Sequence, residues 1–197
     1  MKFSLVIATT NLHRRKVLTS IIKESFPGIK IEAKEINVKN ISTESNKRAK
    51  DNAIEKAKFY GILFKNNVLC EDDTLLIEGE EISPNRKGKR ILSNSEVFKY
   101  WVLFLKENSN VSGKIIKAFA LYTQKEIQED ETEIEIHLQL PKKWPRRITT
   151  NPLNYFIIPK GYSKPLSDFN NTELKLYRQK ETLLLRNLLI NTFRVNK

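Results

Sequence analysis

The chain has 197 residues, 40% apolar and 29% charged, the composition of a globular protein with a real core and not of a disordered chain. Its single cysteine, Cys70, excludes an internal disulfide, and with His13 and His137 as the only histidines it leaves no ligand set for a structural zinc, so a metal here would need oxygen ligands. The formal charge of +12 is unevenly placed, with 12 Lys/Arg against 3 Asp/Glu in residues 139–197, which points to a polyanionic partner (nucleotide, nucleic acid or anionic membrane) or simply to solubility.

Residues 3–8 read as a short buried strand. They are too few for a signal core, and no segment reaches the ~20 apolar residues of a membrane span. With the lone cysteine, this gives a cytoplasmic expectation. Thr9-Thr10-Asn11 can cap a helix, and Val17, Leu18, Ile21, Ile22 and Phe26 follow at helical spacing until Pro27-Gly28 stops them. Ile29, Ile31 and Ala33 alternate like a strand. A second helix starts near Thr43 and carries Ala49, Ala53, Ala57 and Tyr60 on one face, with Gly61 near its end.

Val68-Leu69-Cys70 is a short buried strand, and Leu75-Leu76-Ile77 resumes it after an acidic break. Residues 78–93 are polar and irregular. Ser93-Asn94-Ser95 can cap a third helix with Val97, Tyr100, Trp101, Phe104 and Leu105 as its apolar face. Residues 114–123 and 133–140 read as strands joined by an acidic turn at 128–132. A basic, Pro-containing loop spans 141–153, a short strand lies at 156–158, and a last helix begins near Thr172 with Leu183, Leu184, Leu188 and Leu189. No internal repeat is visible. The order argues for a mixed α/β fold: helices on a long mixed sheet, one domain over 1–197 with two lobes and a cleft between them.

Three local features carry chemistry. The strand-to-helix turn around Thr9, Asn11 and Arg14 offers free N–H groups, a hydroxyl, an amide and a forked cation for phosphate. Glu71-Asp72-Asp73 places three carboxylates between apolar runs, which is costly unless they hold a cation such as Mg²⁺. Glu44 heads the second helix, and Lys56 lies twelve residues further along it. A plainer reading exists for each: ordinary capping, a solvated acidic turn and good helix electrostatics.

Taken in order, these features resemble the inosine triphosphate pyrophosphatase family. That family opens with Thr-x-Asn-x-x-Lys, matched by Thr9, Asn11 and Arg14. It continues with Asn-Ala-x-x-Lys-Ala, present unchanged from Asn52 to Ala57. It then has an acidic strand end, matched by Glu71-Asp72-Asp73-Thr74-Leu75. The segment 117–123 resembles its following core strand. The resemblance implies a Mg²⁺-dependent hydrolase that converts a nucleoside triphosphate to the monophosphate and pyrophosphate, working as a homodimer. Glu44, Glu71 and Asp72 would hold the metal, Asp72 or Asp73 would activate water, and Thr9, Asn11, Arg14 and Lys56 would bind the triphosphate.

The base-reading segments depart from the family. No Gly-Ala-Pro-Gly loop stands in 78–90. The aromatic base-gripping segment is replaced by 151–155, which contributes Asn154 and Tyr155, and Ser-His-Arg by Arg178-Gln179-Lys180. Arg178 and Lys180 are carried over as substrate-binding candidates with Asn154 and Tyr155. The rival reading is a catalytically impaired relative that binds nucleotide or nucleic acid. Trp144 among Lys142, Lys143, Arg146 and Arg147 is the most nucleic-acid-like patch.

Overall fold

A computed structural model describes residues 4–9, 11–32, 48–82, 86–87, 90–109, 111–148 and 151–194. In chain order the elements are β1 (Ser4–Ile7), α1 (Leu12–Ser25), β2 (Lys30–Glu32), α2 (Ala49–Phe64), β3 (Asn67–Ile77), β4 (Glu80–Glu81), β5 (Arg86–Lys87), β6 (Arg90–Ile91), α3 (Asn94–Glu107), β7 (Val111–Tyr122), β8 (Ile127–Leu138), β9 (Ile157–Pro159), α4 (Asn171–Tyr177) and α5 (Gln179–Arg194). The expected mixed α/β architecture is present. Among the described residues the main sheet has the order β2-β1-β3-β7-β8-β9, with β4 on β3. β1 pairs parallel with β2 and β3, whereas β8 pairs antiparallel with β9. Among the described residues no helix is long and apolar enough to cross a membrane.

The chain forms two compact units: residues 1–73, 117–132 and 180–197 in the first, and 74–116 and 133–179 in the second. In the first unit Leu5, Ile7, Leu69, Phe119 and Leu121 bury one sheet face under Leu18 and Ile22 of α1 and Leu185, Leu188 and Leu189 of α5. α2 covers the opposite face with Ala49, Ala53, Ala57 and Tyr60. In the second unit Val97, Trp101 and Leu105 of α3 recur every four residues and pack with Leu138, Phe156 and Ile157. α3 starts at a full capping box between Ser93 and Glu96.

Several boundaries differ from the sequence reading, each for a visible reason. α1 begins at Leu12, capped within the expected run by Asn11, whose side chain accepts the Arg14 amide. α2 carries Gly61 near its end, as the sequence reading has it, runs to Phe64 and closes on Lys65 in the left-handed region (φ 50°). Its predicted start near Thr43 lies outside the described residues. β3 is one continuous strand through Glu71, Asp72 and Asp73, with no acidic break. The hairpin turn falls at residues 123–126, where the Thr123 hydroxyl accepts from the Lys125 and Glu126 amides. Residues 128–132 are therefore in β8, largely exposed, with Glu129 2.9 Å from Lys50. Residues 78–93 contain the short pairs β4, β5 and β6. The last helix is split at Arg178 into α4 and α5.

Gly61 sits inside α2 because the helix approaches β7 closely there. A Cβ at this position would overlap the Tyr122 ring. Gly61→Ala would gain about 1 kcal/mol of helix propensity, yet overpacking, which costs about 1–3 kcal/mol, should outweigh it. We expect a lower urea midpoint. An unchanged or raised midpoint would show that the ring moves aside freely.

Candidate functional site

The first unit holds two charge clusters on opposite faces of β3. Successive strand residues alternate faces, so Glu71 follows Leu69 toward α1 and α5, whereas Asp72 follows Cys70 toward α2. On the α1–α5 side the Arg14 guanidinium lies between two carboxylates: Nε donates to Glu71, and the terminal nitrogen pairs with Glu181. The Lys117 ammonium reaches Glu181 at 3.2 Å. The Arg14 guanidinium also lies 6.0 Å from the Phe119 ring centroid. Two cations and two anions thus meet in an apolar layer, with the Glu181 side chain only 1% exposed.

The ionisation of the network follows from burial and pairing. Burial pushes the Glu71 carboxyl above its ordinary range, and the adjacent Arg14 charge offsets only part of that. Burial acts on Glu181 too, but Lys117 and Arg14 together hold its carboxyl below the ordinary value. Burial works against the charge of Arg14, and its two carboxylate neighbours more than restore it. Glu71 is therefore the member that takes up a proton most readily.

On the α2 side the Lys56 ammonium donates to the Asp72 carboxylate at 2.5 Å, and each side chain is about a fifth exposed. Cys70 lies beneath this pair. Burial pushes its thiol well above the usual range, so it is not a nucleophile. Tyr60 lies one turn beyond Lys56 on the same helix face, its hydroxyl pushed by burial up to about 12. Asp73 is exposed.

The turn after β1 has its own hydrogen bonds. The Thr9 hydroxyl accepts from the Asn11 amide at 3.2 Å, and the Asn11 side-chain oxygen caps the Arg14 amide at 3.0 Å. The Thr9 carbonyl accepts from Arg15 at 2.9 Å. The Thr9 hydroxyl proton and the Asn11 side-chain amine are donors that these bonds do not use.

The structure brings Arg14 to Glu71 and Lys56 to Asp72. It does not bring Glu71 and Asp72 to a common point, because the strand directs them apart. Glu71 does not fit a shared metal: its side chain is only 10% exposed and is already paired with Arg14. Asp72 does fit, since Mg²⁺ needs only one or two protein carboxylates beside phosphate oxygens and water. Among the described residues no group of three His, Cys, Asp or Glu side chains could hold a metal unaided. Glu44 lies outside the described residues.

The other candidates are dispersed. Asn154 and Tyr155 lie in a 3₁₀ turn of the second unit, where the Tyr155 ring meets Phe98 edge-on at 5.8 Å. Arg178 caps α4, and Lys180 is exposed in the first turn of α5.

Sequence reasoning missed Glu181 and Lys117, although their spacing holds a signal. Glu181 lies four, seven and eight residues before the core residues Leu185, Leu188 and Leu189, so it faces the core. Lys117 alternates with the buried Phe119 and Leu121.

No family model matches the chain, and no curated relative does. Solved structures do. A nucleoside-triphosphatase, dITP/XTP pyrophosphatase, from Mycobacterium abscessus is 15% identical, with a TM-score of 0.68 over 92% of this chain and 96% of that one. The Ham1 protein of Staphylococcus aureus is 12% identical, with a TM-score of 0.70 over 96% and 99%. A HAM1 protein from Coxiella burnetii is 15% identical, with a TM-score of 0.71 over the same shares. The chain shares the fold of these proteins across almost their whole length.

Replacing Glu181 leaves Arg14 and Lys117 with one carboxylate between them. Breaking a buried pair from one side costs about 3–5 kcal/mol, so Glu181→Gln should be strongly destabilised at neutral pH. The pH dependence has a definite sign. Glu181 is held below its ordinary 4.5, so its contribution is complete above that pH and is lost as pH falls through the depressed value. Glu71 works in reverse, its charge costing stability as pH rises from its ordinary 4.5 through the elevated value. Urea midpoints against pH should fall in the wild type below about pH 4.5 and be flatter there in Glu181→Gln. An equally steep acid limb in the variant would remove Glu181 from this account.

Proposed function

We propose that this protein is a Mg²⁺-dependent nucleoside triphosphate pyrophosphatase, releasing the nucleoside monophosphate and pyrophosphate. The observation that carries the reading is the Lys56–Asp72 pair: an ammonium and a carboxylate 2.5 Å apart, both solvent-accessible, on the side of β3 away from the buried network. Support also comes from the Ham1-type fold, and from the resemblance of Asn52–Ala57 and Glu71–Leu75 to the pyrophosphatase motifs.

Phosphoryl transfer asks a protein mainly for positioning and charge neutralisation. Lys56 provides a compact cation for the triphosphate. The Thr9 hydroxyl and the Asn11 amide add neutral donors at the start of α1. Asp72 would hold Mg²⁺ together with phosphate oxygens, and the bound ion would neutralise the developing charge. Asp72 also accepts the proton of the attacking water, whereas Asp73 alternates to the Glu71 face of β3 and is not placed to share that role. The water oxygen bonds to the α-phosphorus, the bond from that phosphorus to the α–β bridging oxygen breaks, and pyrophosphate leaves.

Arg14 does not serve as the triphosphate cation in this reading, because Glu71 and Glu181 already take up its guanidinium. The base-reading segment of the resembling family is replaced at Asn154, Tyr155, Arg178 and Lys180. The reading therefore commits to a triphosphate and leaves the base to a substrate panel. It includes the homodimer and the cytoplasmic location that the resemblance and the composition suggest.

Pyrophosphate release from inosine, xanthosine and the ordinary triphosphates with Mg²⁺ tests the proposal. Asp72→Asn should lower kcat by about 10²–10⁴, the scale of a lost general base, with a near wild-type urea midpoint. Lys56→Ala should raise KM. Full turnover in Asp72→Asn would remove Asp72 from the reaction. Tight nucleotide binding without turnover by the wild type would instead make the protein a nucleotide-binding relative.

A further inference from the structure

The second unit carries a basic, aromatic loop that the proposed hydrolysis does not use. Between Glu135 and Asp168 the sequence contains no acidic residue, yet it has six cations. Two of them are paired at the edge of the stretch: Lys160 with Glu135 at 2.6 Å, and Lys164 with Glu173 at 2.9 Å. The other four, Lys142, Lys143, Arg146 and Arg147, are exposed and form no ion pair among the described residues. Four unneutralised cations within six residues repel one another, and a polyanion relieves that repulsion.

Trp144 lies in the middle of these cations. Its side chain is 56% exposed, which is unusual for the largest apolar residue. It is nonetheless held in place. The ring meets Phe98 of α3 edge-on at 6.0 Å and 68°, and Phe98 is itself packed against Tyr155 and Phe156. A ring anchored by its contact with Phe98 and more than half open to solvent is a stacking platform and not a loose side chain. The flanking Pro141 and Pro145 restrict the loop backbone further.

We propose that this loop binds single-stranded nucleic acid, with Trp144 stacking on a base and Lys142, Lys143, Arg146 and Arg147 tracking the phosphates. The ligand chemistry is a flexible polyanion with accessible aromatic faces. Duplexes hide those faces inside the stack. A membrane surface suits the site less well, because Trp144 has no other exposed large apolar side chain beside it in the loop to enter the headgroup layer. The site takes any base, since stacking and phosphate contacts carry no sequence code.

Fluorescence anisotropy with a labelled mixed-sequence DNA strand of about twelve nucleotides, within the usual range of single-strand sites, tests this on the full chain. Four phosphate contacts predict a slope of log K against log salt of roughly −2 to −3. Trp144→Ala should weaken binding by roughly 5- to 160-fold, the range for a stacked base, and Trp144→Phe should recover most of it. Lys142→Glu with Lys143→Glu should flatten the salt dependence. Trp144 is exposed, so these variants should fold, which circular dichroism checks. Asp72→Asn should bind the strand as the wild type does, so the proposal stands or falls apart from hydrolysis. Three outcomes would overturn it: no binding at low salt, binding that ignores Trp144→Ala, or binding to anionic phosphatidylserine vesicles in place of the strand.

Discussion

Arg14 is held between Glu71 and Glu181, and much of the first unit is organised around that arrangement. Each of the four charges in the network comes from a different element: Arg14 from α1, Glu71 from β3, Lys117 from β7 and Glu181 from α5. Each occupies a position that the apolar pattern of its own element assigns to the core. An isolated charge there would be expelled or neutralised, whereas two of each sign leave a neutral group. Burying them is not evidence of a large net stabilisation, because desolvation offsets most of the attraction. What the network supplies is a strict condition: all four elements must be in place before any of the charges is satisfied.

That condition bears on the candidate site through β3. Because Arg14 and Lys117 meet the charges facing α1 and α5, the strand continues through three consecutive acidic residues instead of breaking into a loop. Asp72 is then fixed one position beyond Glu71 on the opposite face, under Lys56 of α2. Glu71 serves the framework, and its neighbour Asp72 stays partly exposed beside Lys56. The same geometry leaves the Arg14 guanidinium doubly paired with carboxylates, which is why the proposed function does not assign it to a phosphate.

Much of this was legible in the sequence, and the rest fails for identifiable reasons. The alternation of apolar runs gave the strands and helices, because periodicity records which face is buried. Gly61 was legible as lying near a helix end, but its close approach to Tyr122 is a tertiary contact that no local pattern reveals. Glu71-Asp72-Asp73 looked like a turn, because charge is read locally while its neutralisation comes from distant cations, Arg14 for Glu71 at 57 positions and Lys56 for Asp72 at 16. The pairing of Lys56 with Asp72 fits the motifs that suggested both. The separation of Glu71 from Asp72 follows from strand alternation alone, once the strand is known to be continuous.

The most direct test of the account is the identity of the products formed when the wild-type protein turns over a nucleoside triphosphate in ¹⁸O-labelled water, read by mass spectrometry and phosphorus NMR. Attack at the α-phosphorus predicts equal amounts of nucleoside monophosphate and pyrophosphate, with one labelled oxygen in the monophosphate; attack at the β-phosphorus of the same bridge would place the label in pyrophosphate alone. The account requires the label in the monophosphate. Release of nucleoside diphosphate and orthophosphate, or label in the pyrophosphate alone, would contradict it.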